Sequence, residues 1–85
     1  MRAAESIIFN IVEGCGAASR KEFARFLDIG IKSACELEAE LQMVRDIGLL
    51  SQEVWATLSS ETVAMRRMTY SLRKSVLEAD KASHS

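Results

Sequence analysis

The sequence predicts an all-α chain folded as an up-and-down antiparallel helical bundle. Three observations carry that reading. There is no proline in 85 residues, 48% of the residues are hydrophobic and only 6% aromatic, so strong helix breakers and strand-preferring rings are both scarce. Apolar residues recur at steps of three and four, the period of one helix face. Of the four glycines, three fall between the periodic stretches, at Gly14, Gly16 and Gly48, and Gly30 lies within one.

The opening helix covers about residues 3–13, where Ala4, Ile7, Ile8, Ile11 and Val12 share a face. Gly14-Cys15-Gly16 is expected to stop it, because glycine accepts the left-handed conformation at a helix C-terminus. Ser19 starts the next helix with a capping box. Its hydroxyl is placed to accept from the amide of Glu22, and the Glu22 carboxylate to reach back to the amide of Ser19. From there Phe23, Leu27, Gly30, Ala34, Leu37, Leu41 and Val44 follow at alternating steps of four and three. This helix runs from Arg20 to about Ile47, with Gly48 as its cap. Gly30 and Ala34 place small residues on the seam, where a neighbouring helix can come close. Phe26, Cys35 and Met43 stand beside the seam, and Ile31 and Ile47 widen it, so the helix needs cover on more than one side. Phe26, Ile31, Met43 and Ile47 are the candidate oligomer interface.

Ser51 caps the last helix, which returns antiparallel after so short a turn. Trp55, Leu58, Thr62, Met65, Thr69, Leu72 and Val76 repeat the heptad steps, with the two threonines as weak points. The pattern fades after Leu77. Residues 1–77 therefore form a single helical domain, and 78–85 are expected to be a disordered tail.

Size and charge narrow the function. A chain of 85 residues is near the lower limit for a self-sufficient core. Eleven Lys and Arg face twelve Asp and Glu, so no global field draws the chain to nucleic acid or to a membrane surface. The apolar run Ile7 to Val12 is interrupted by Asn10 and is too short for a signal sequence or a membrane span. Cys15 and Cys35 fit free thiols, and a cytoplasmic location follows.

Little in the sequence speaks for catalysis. Ser6, Asn10 and Glu13 share a helix face and either bond to neighbouring helices or orient a substrate, the first being the commoner use of such a row. Glu36 and Glu40 are one turn apart, which suits a solvated or ion-paired face better than a weak cation site. The single histidine, His84, stands in the tail, and no Glu-x-x-His motif of the di-iron bundles is present. No serine has a base at hand, and Gly14-Cys15-Gly16 lacks the Lys-Ser or Lys-Thr of a phosphate loop. The expectation is a protein that is not an enzyme, with no catalytic or metal site, no cofactor and no small-molecule substrate.

Positive charge is biased locally. Thr62 to Lys74 contains Arg66, Arg67, Arg73 and Lys74 and no acid, and the two pairs seven apart make two adjoining basic ladders. Arg20, Lys21 and Arg25 open the long helix near the far end of its antiparallel partner. These seven side chains form a candidate nucleic-acid edge that grips phosphates. The competing reading is a salt-bridged face shared with Glu22, Asp28 and Glu61.

The order of polar landmarks supplies a resemblance. Ser6, Asn10-Ile11, Glu13-Gly14, Gly16, Ser19, Lys21-Glu22-Phe23, Leu27, Glu36-Leu37-Glu38 and Leu41, then Gly48-Leu49-Leu50-Ser51, are similar to the bacterial four-helix-bundle proteins of intervening sequences in large-subunit ribosomal RNA genes. The resemblance implies a four-helix bundle whose usual first helix is missing here, leaving three. It also implies five-fold rings, so a homopentamer is expected, and either the gene start is short or self-association covers seams built for a further helix. Many relatives carry basic residues where this chain has Ala17 and Ala18, which weakens the case for RNA drawn from the family. The expected function is that of a cytosolic oligomerising structural or adaptor protein. The alternative is an RNA- or DNA-binding protein acting through the basic edge.

Overall fold

The computed structural model describes the backbone of residues 2–84 and the side chains of residues 5–82. Met1, Ser85 and the side chains of Ala4 and His84, on which expectations above fall, lie outside the described residues. Three helices make up the fold: α1 (Arg2–Cys15), α2 (Arg20–Asp46) and α3 (Gln52–His84), with no strand among the described residues.

The caps of α2 are built by local chemistry. Ser19 is extended and its Oγ accepts from the Glu22 amide at 3.1 Å. The return half of the expected box is shifted by one residue, because the Glu22 carboxylate accepts from the amide of Ala18 at 3.4 Å. At the other end Gly48 takes a left-handed φ of 83°, its amide donates to the Arg45 carbonyl, and the Leu49 amide donates to that of Val44. That pairing is a Schellman stop, and it needs glycine at this position. Ser51 caps α3 by accepting from the Val54 amide at 3.2 Å.

Two expectations about helix ends are corrected. Gly14 does not terminate α1: the helix continues through Cys15, and Gly48 is the only glycine with positive φ among the described residues. Gly14 is buried, and a Cβ on it would stand 2.7 Å from Cδ1 of Phe23, so it is there for packing. Likewise α3 does not end near Leu77 but runs to His84. The extra turns lie beside the start of α2, where Nη1 of Arg20 donates to the Ala79 carbonyl at 3.2 Å.

Helix α2 is the spine, and α1 and α3 each pack on it antiparallel without approaching one another to packing distance. The result is long and thin, 52 × 18 × 13 Å between Cα atoms, a slab open between its outer helices. The α2–α3 register is marked by the Arg45 guanidinium 4.2 Å from the centre of the Trp55 ring, by Arg66 on Glu38, and by Arg20 at Ala79. Ile7, Ala24, Leu27, Ala34, Leu37 and Leu41 form the apolar core.

Thr62 and Thr69 stand on the seam of α3 with their hydroxyls satisfied. Both are buried, and each hydroxyl donates at 2.7 Å to a carbonyl one turn back, Leu58 and Met65, which satisfies the polar group inside its own helix. The methyl of Thr69 is left to face α2, 3.7 Å from where a Cβ on Gly30 would stand. From the α1 side the Ile7 carbonyl lies 3.8 Å and Asn10 Cβ 4.0 Å from the same point. Gly30 is thus the place where all three helices meet.

Candidate functional site

The polar row on α1 works as a fastener. Asn10 is buried and its Nδ2 donates to the Ser6 carbonyl at 2.7 Å and to Ser6 Oγ at 3.3 Å. Ser33 Oγ donates to the Ile29 carbonyl at 3.0 Å, so the 3.1 Å bond between the two serine hydroxyls takes its proton from Ser6. This chain of donors fixes the rotation of α1 on α2. Glu13 stands outside it, exposed.

The candidate basic edge is divided by the register. Arg66 Nε donates to Glu38 Oε2 at 2.7 Å and Nη2 to Oε1 at 3.4 Å, a fork-to-carboxylate pair. The hydrogen bond to Glu38, and then the charge of Glu38, raise the Arg66 pKa above its ordinary value. Arg73 ion-pairs with Asp28. The inner ladder, Arg66 and Arg73, therefore ties α3 to α2, while Arg67 and Lys74 of the outer ladder stay exposed. Arg25 is remote from both, lining a separate depression with Glu22, Phe26 and Ile29.

One end of the molecule does gather positive charge. Lys21 of α2 and Tyr70, Arg73, Lys74, Leu77 and Lys81 of α3 line a hollow of about 440 Å³, with Glu78 and Asp80 also in its walls. Arg20 is held at the same end by its bond to Ala79. Of the seven basic candidates the structure unites Lys21, Arg73 and Lys74, keeps Arg20 near them, and commits Arg66 to Glu38. Tyr70 and Lys81 were missed. Their spacing was a usable signal, since 70, 74, 77 and 81 step by four, three and four along one helix face.

The second feature is apolar. Around α2, Ser33 lies on the α1 side and Glu38 and Asp28 on the α3 side, and at about 100° per residue Gly30, Leu37 and Leu41 fall between them. Asn10 is buried toward α2, and Ile8 and Val12, two residues to either side of it, fall about 160° round α1, on its outer face with the exposed Phe9. Because α3 turns Arg66 and Arg73 toward the acids, its flank with Met68 and Leu72 lies on the opposite side of the helix from them. Ile8 is 57%, Val12 62% and Met68 64% exposed, so the outer face of α1 and this flank of α3 are both uncovered. A second apolar patch sits at the α2–α3 turn, where Met43, Ile47, Leu49 and Val54 are exposed. Of the four interface candidates, Met43 and Ile47 belong to that patch. Phe26 is half-buried beside Gly14, and Ile31 is half-buried.

Cys15 and Cys35 are free and exposed. Among the described residues no group of three or more His, Cys, Asp or Glu is placed to hold a metal ion, and no helix is long and apolar enough to cross a membrane.

Comparison with known proteins agrees with this architecture. The profile of a family described as 23S rRNA-intervening sequence protein matches residues 1–71. Among solved structures, the chain is similar to a protein of unknown function from the S23 ribosomal protein family of Bacteroides thetaiotaomicron, with 27% identity and a TM-score of 0.83. That alignment covers 86% of this chain and 65% of the other, so this chain spans less than two thirds of its structural relative. No curated protein matches.

Proposed function

We propose that this chain, which belongs to the 23S rRNA-intervening sequence protein family, works as a self-associating helical module without catalysis, a structural or adaptor part in the cytoplasm. The uncovered apolar outer face of α1 carries the reading. Ile8, Phe9 and Val12 stand on it and are each more than half exposed, on a chain too small to leave such surface wet at little cost. A second copy of the chain offers a matching apolar face, and closed symmetry would cover every such face at once. A homopentamer is the assembly proposed. Light scattering across the micromolar range tests it: a mass that is a multiple of 9.4 kDa supports the module, and a folded single chain refutes it.

One observation favours a second reading, binding of RNA or DNA. Lys21, Arg73, Lys74 and Lys81 converge on one hollow, although the chain as a whole carries a net charge of −1. Ribosomal RNA is named in the family's description and is the polyanion this reading takes. Binding of generic RNA and duplex DNA, followed as salt is raised, tests it, since contacts to phosphate must weaken steeply with ionic strength.

A further inference from the structure

We infer that the hollow between the start of α2 and the last turns of α3 binds single-stranded nucleic acid, stacking a base on Tyr70 and holding the adjoining phosphates with Lys21, Lys74 and Lys81. The inference rests on the nucleic-acid reading above and names its ligand. Tyr70 is 56% exposed, and its ring lines the hollow instead of the core. Lys74 lies one turn along the same face, Leu77 and Lys81 follow, and Lys21 closes the hollow from α2. Among the described residues Lys21, Lys74 and Lys81 enter no ion pair or hydrogen bond within the chain, whereas Arg73 is held by Asp28. Of the two acids in the walls, Asp80 is engaged within the chain.

An exposed aromatic ring among uncommitted cations is the combination that single strands use, because every base presents a face for stacking and every linkage a charge. A volume of about 440 Å³ lies in the range of small-ligand sites and suits a nucleotide unit better than a double helix. In a duplex the base faces are already stacked, so Tyr70 would have nothing to meet. An acidic peptide would use the lysines but leave Tyr70 and Leu77 idle.

The test is fluorescence anisotropy of a short labelled oligouridine, and of an RNA duplex of equal length, with the full chain at low ionic strength. The single strand should bind more tightly than the duplex. Tyr70→Ala should weaken it roughly 5- to 100-fold while Tyr70→Phe keeps the affinity, and both variants should retain the helical circular dichroism of the parent. Lys74→Gln and Lys81→Gln should each reduce the slope of log affinity against log salt by about 0.7. Equal binding of duplex and strand, wild-type affinity in Tyr70→Ala, or full displacement of the strand by polyglutamate would overturn the inference while leaving polyanion binding in place. Failure of both RNAs to bind would remove the inference and the nucleic-acid reading together.

Discussion

The ring of Phe23 fills the space that a side chain on Gly14 would need, with Cδ1 2.7 Å and Cε1 3.0 Å from the position of its Cβ. The contact sets how closely the end of α1 can lie on the start of α2. It also shows why Gly14 is absent from the list of helix stops: its lack of a side chain is used sideways, against another helix.

Gly14→Ala should therefore destabilise the fold by about 1–3 kcal/mol through overpacking against an aromatic ring, even though alanine is the better helix former by about 1 kcal/mol. Urea unfolding at fixed chain concentration measures it, and a variant more stable than the parent would show that the ring moves aside freely.

Gly30 should behave in the opposite way. The nearest atom to its added Cβ is the Thr69 methyl at 3.7 Å, an ordinary contact. Gly30→Ala should gain about 0.5–1 kcal/mol from helix propensity alone, whereas Gly30→Leu should lose stability because three helices meet there. If the alanine variant is the less stable, α1 or α3 lies closer to α2 than these distances say.

The Arg66–Glu38 pair is partly exposed, so its effect on stability should be small and should shrink as salt is added. Its alkaline dependence follows from the raised Arg66 pKa. The stabilisation is complete below the ordinary arginine value and is lost only as pH rises through the higher folded one. Thermal melts of wild type and Arg66→Ala should therefore keep a constant spacing from neutral to moderately alkaline pH. A spacing that closes in that range would contradict the assignment.

The apolar surfaces lead to a contrast among charge insertions. Met43→Glu and Ile47→Glu should disperse the proposed assembly while keeping the helices, because both side chains are exposed in the single chain. Phe26→Glu should instead unfold it, since Phe26 is half-buried beside Gly14. Ala39→Glu, at an exposed position one turn before Met43 on the same helix, is the comparison. Gel filtration with circular dichroism separates the three behaviours, and dispersal by Ala39→Glu to the same extent would deny Met43 and Ile47 a special part.

How much of this was legible in the sequence differs by residue. Ser19, Gly48 and Ser51 announced their roles because capping is decided within a few neighbouring residues. Gly14 did not, because only the position of Phe23 after the turn tells a packing glycine from a stop. The end of α3 was misjudged because heptad counting follows apolar residues, and the turns after Leu77 sit beside α2 with a polar contact, Arg20 to Ala79. The spacing of Arg66 and Arg73 was readable. Their destination was not, since it depends on the register that brings Glu38 and Asp28 opposite them.

Sedimentation equilibrium of the wild-type chain at micromolar concentration tests the proposed self-association of this open three-helix slab. The predicted result is a single helical species several times heavier than 9.4 kDa, five times if the ring is a pentamer. A folded, cooperatively melting species of 9.4 kDa would contradict it, for then the apolar face of Ile8, Phe9 and Val12 would be stable in water on its own.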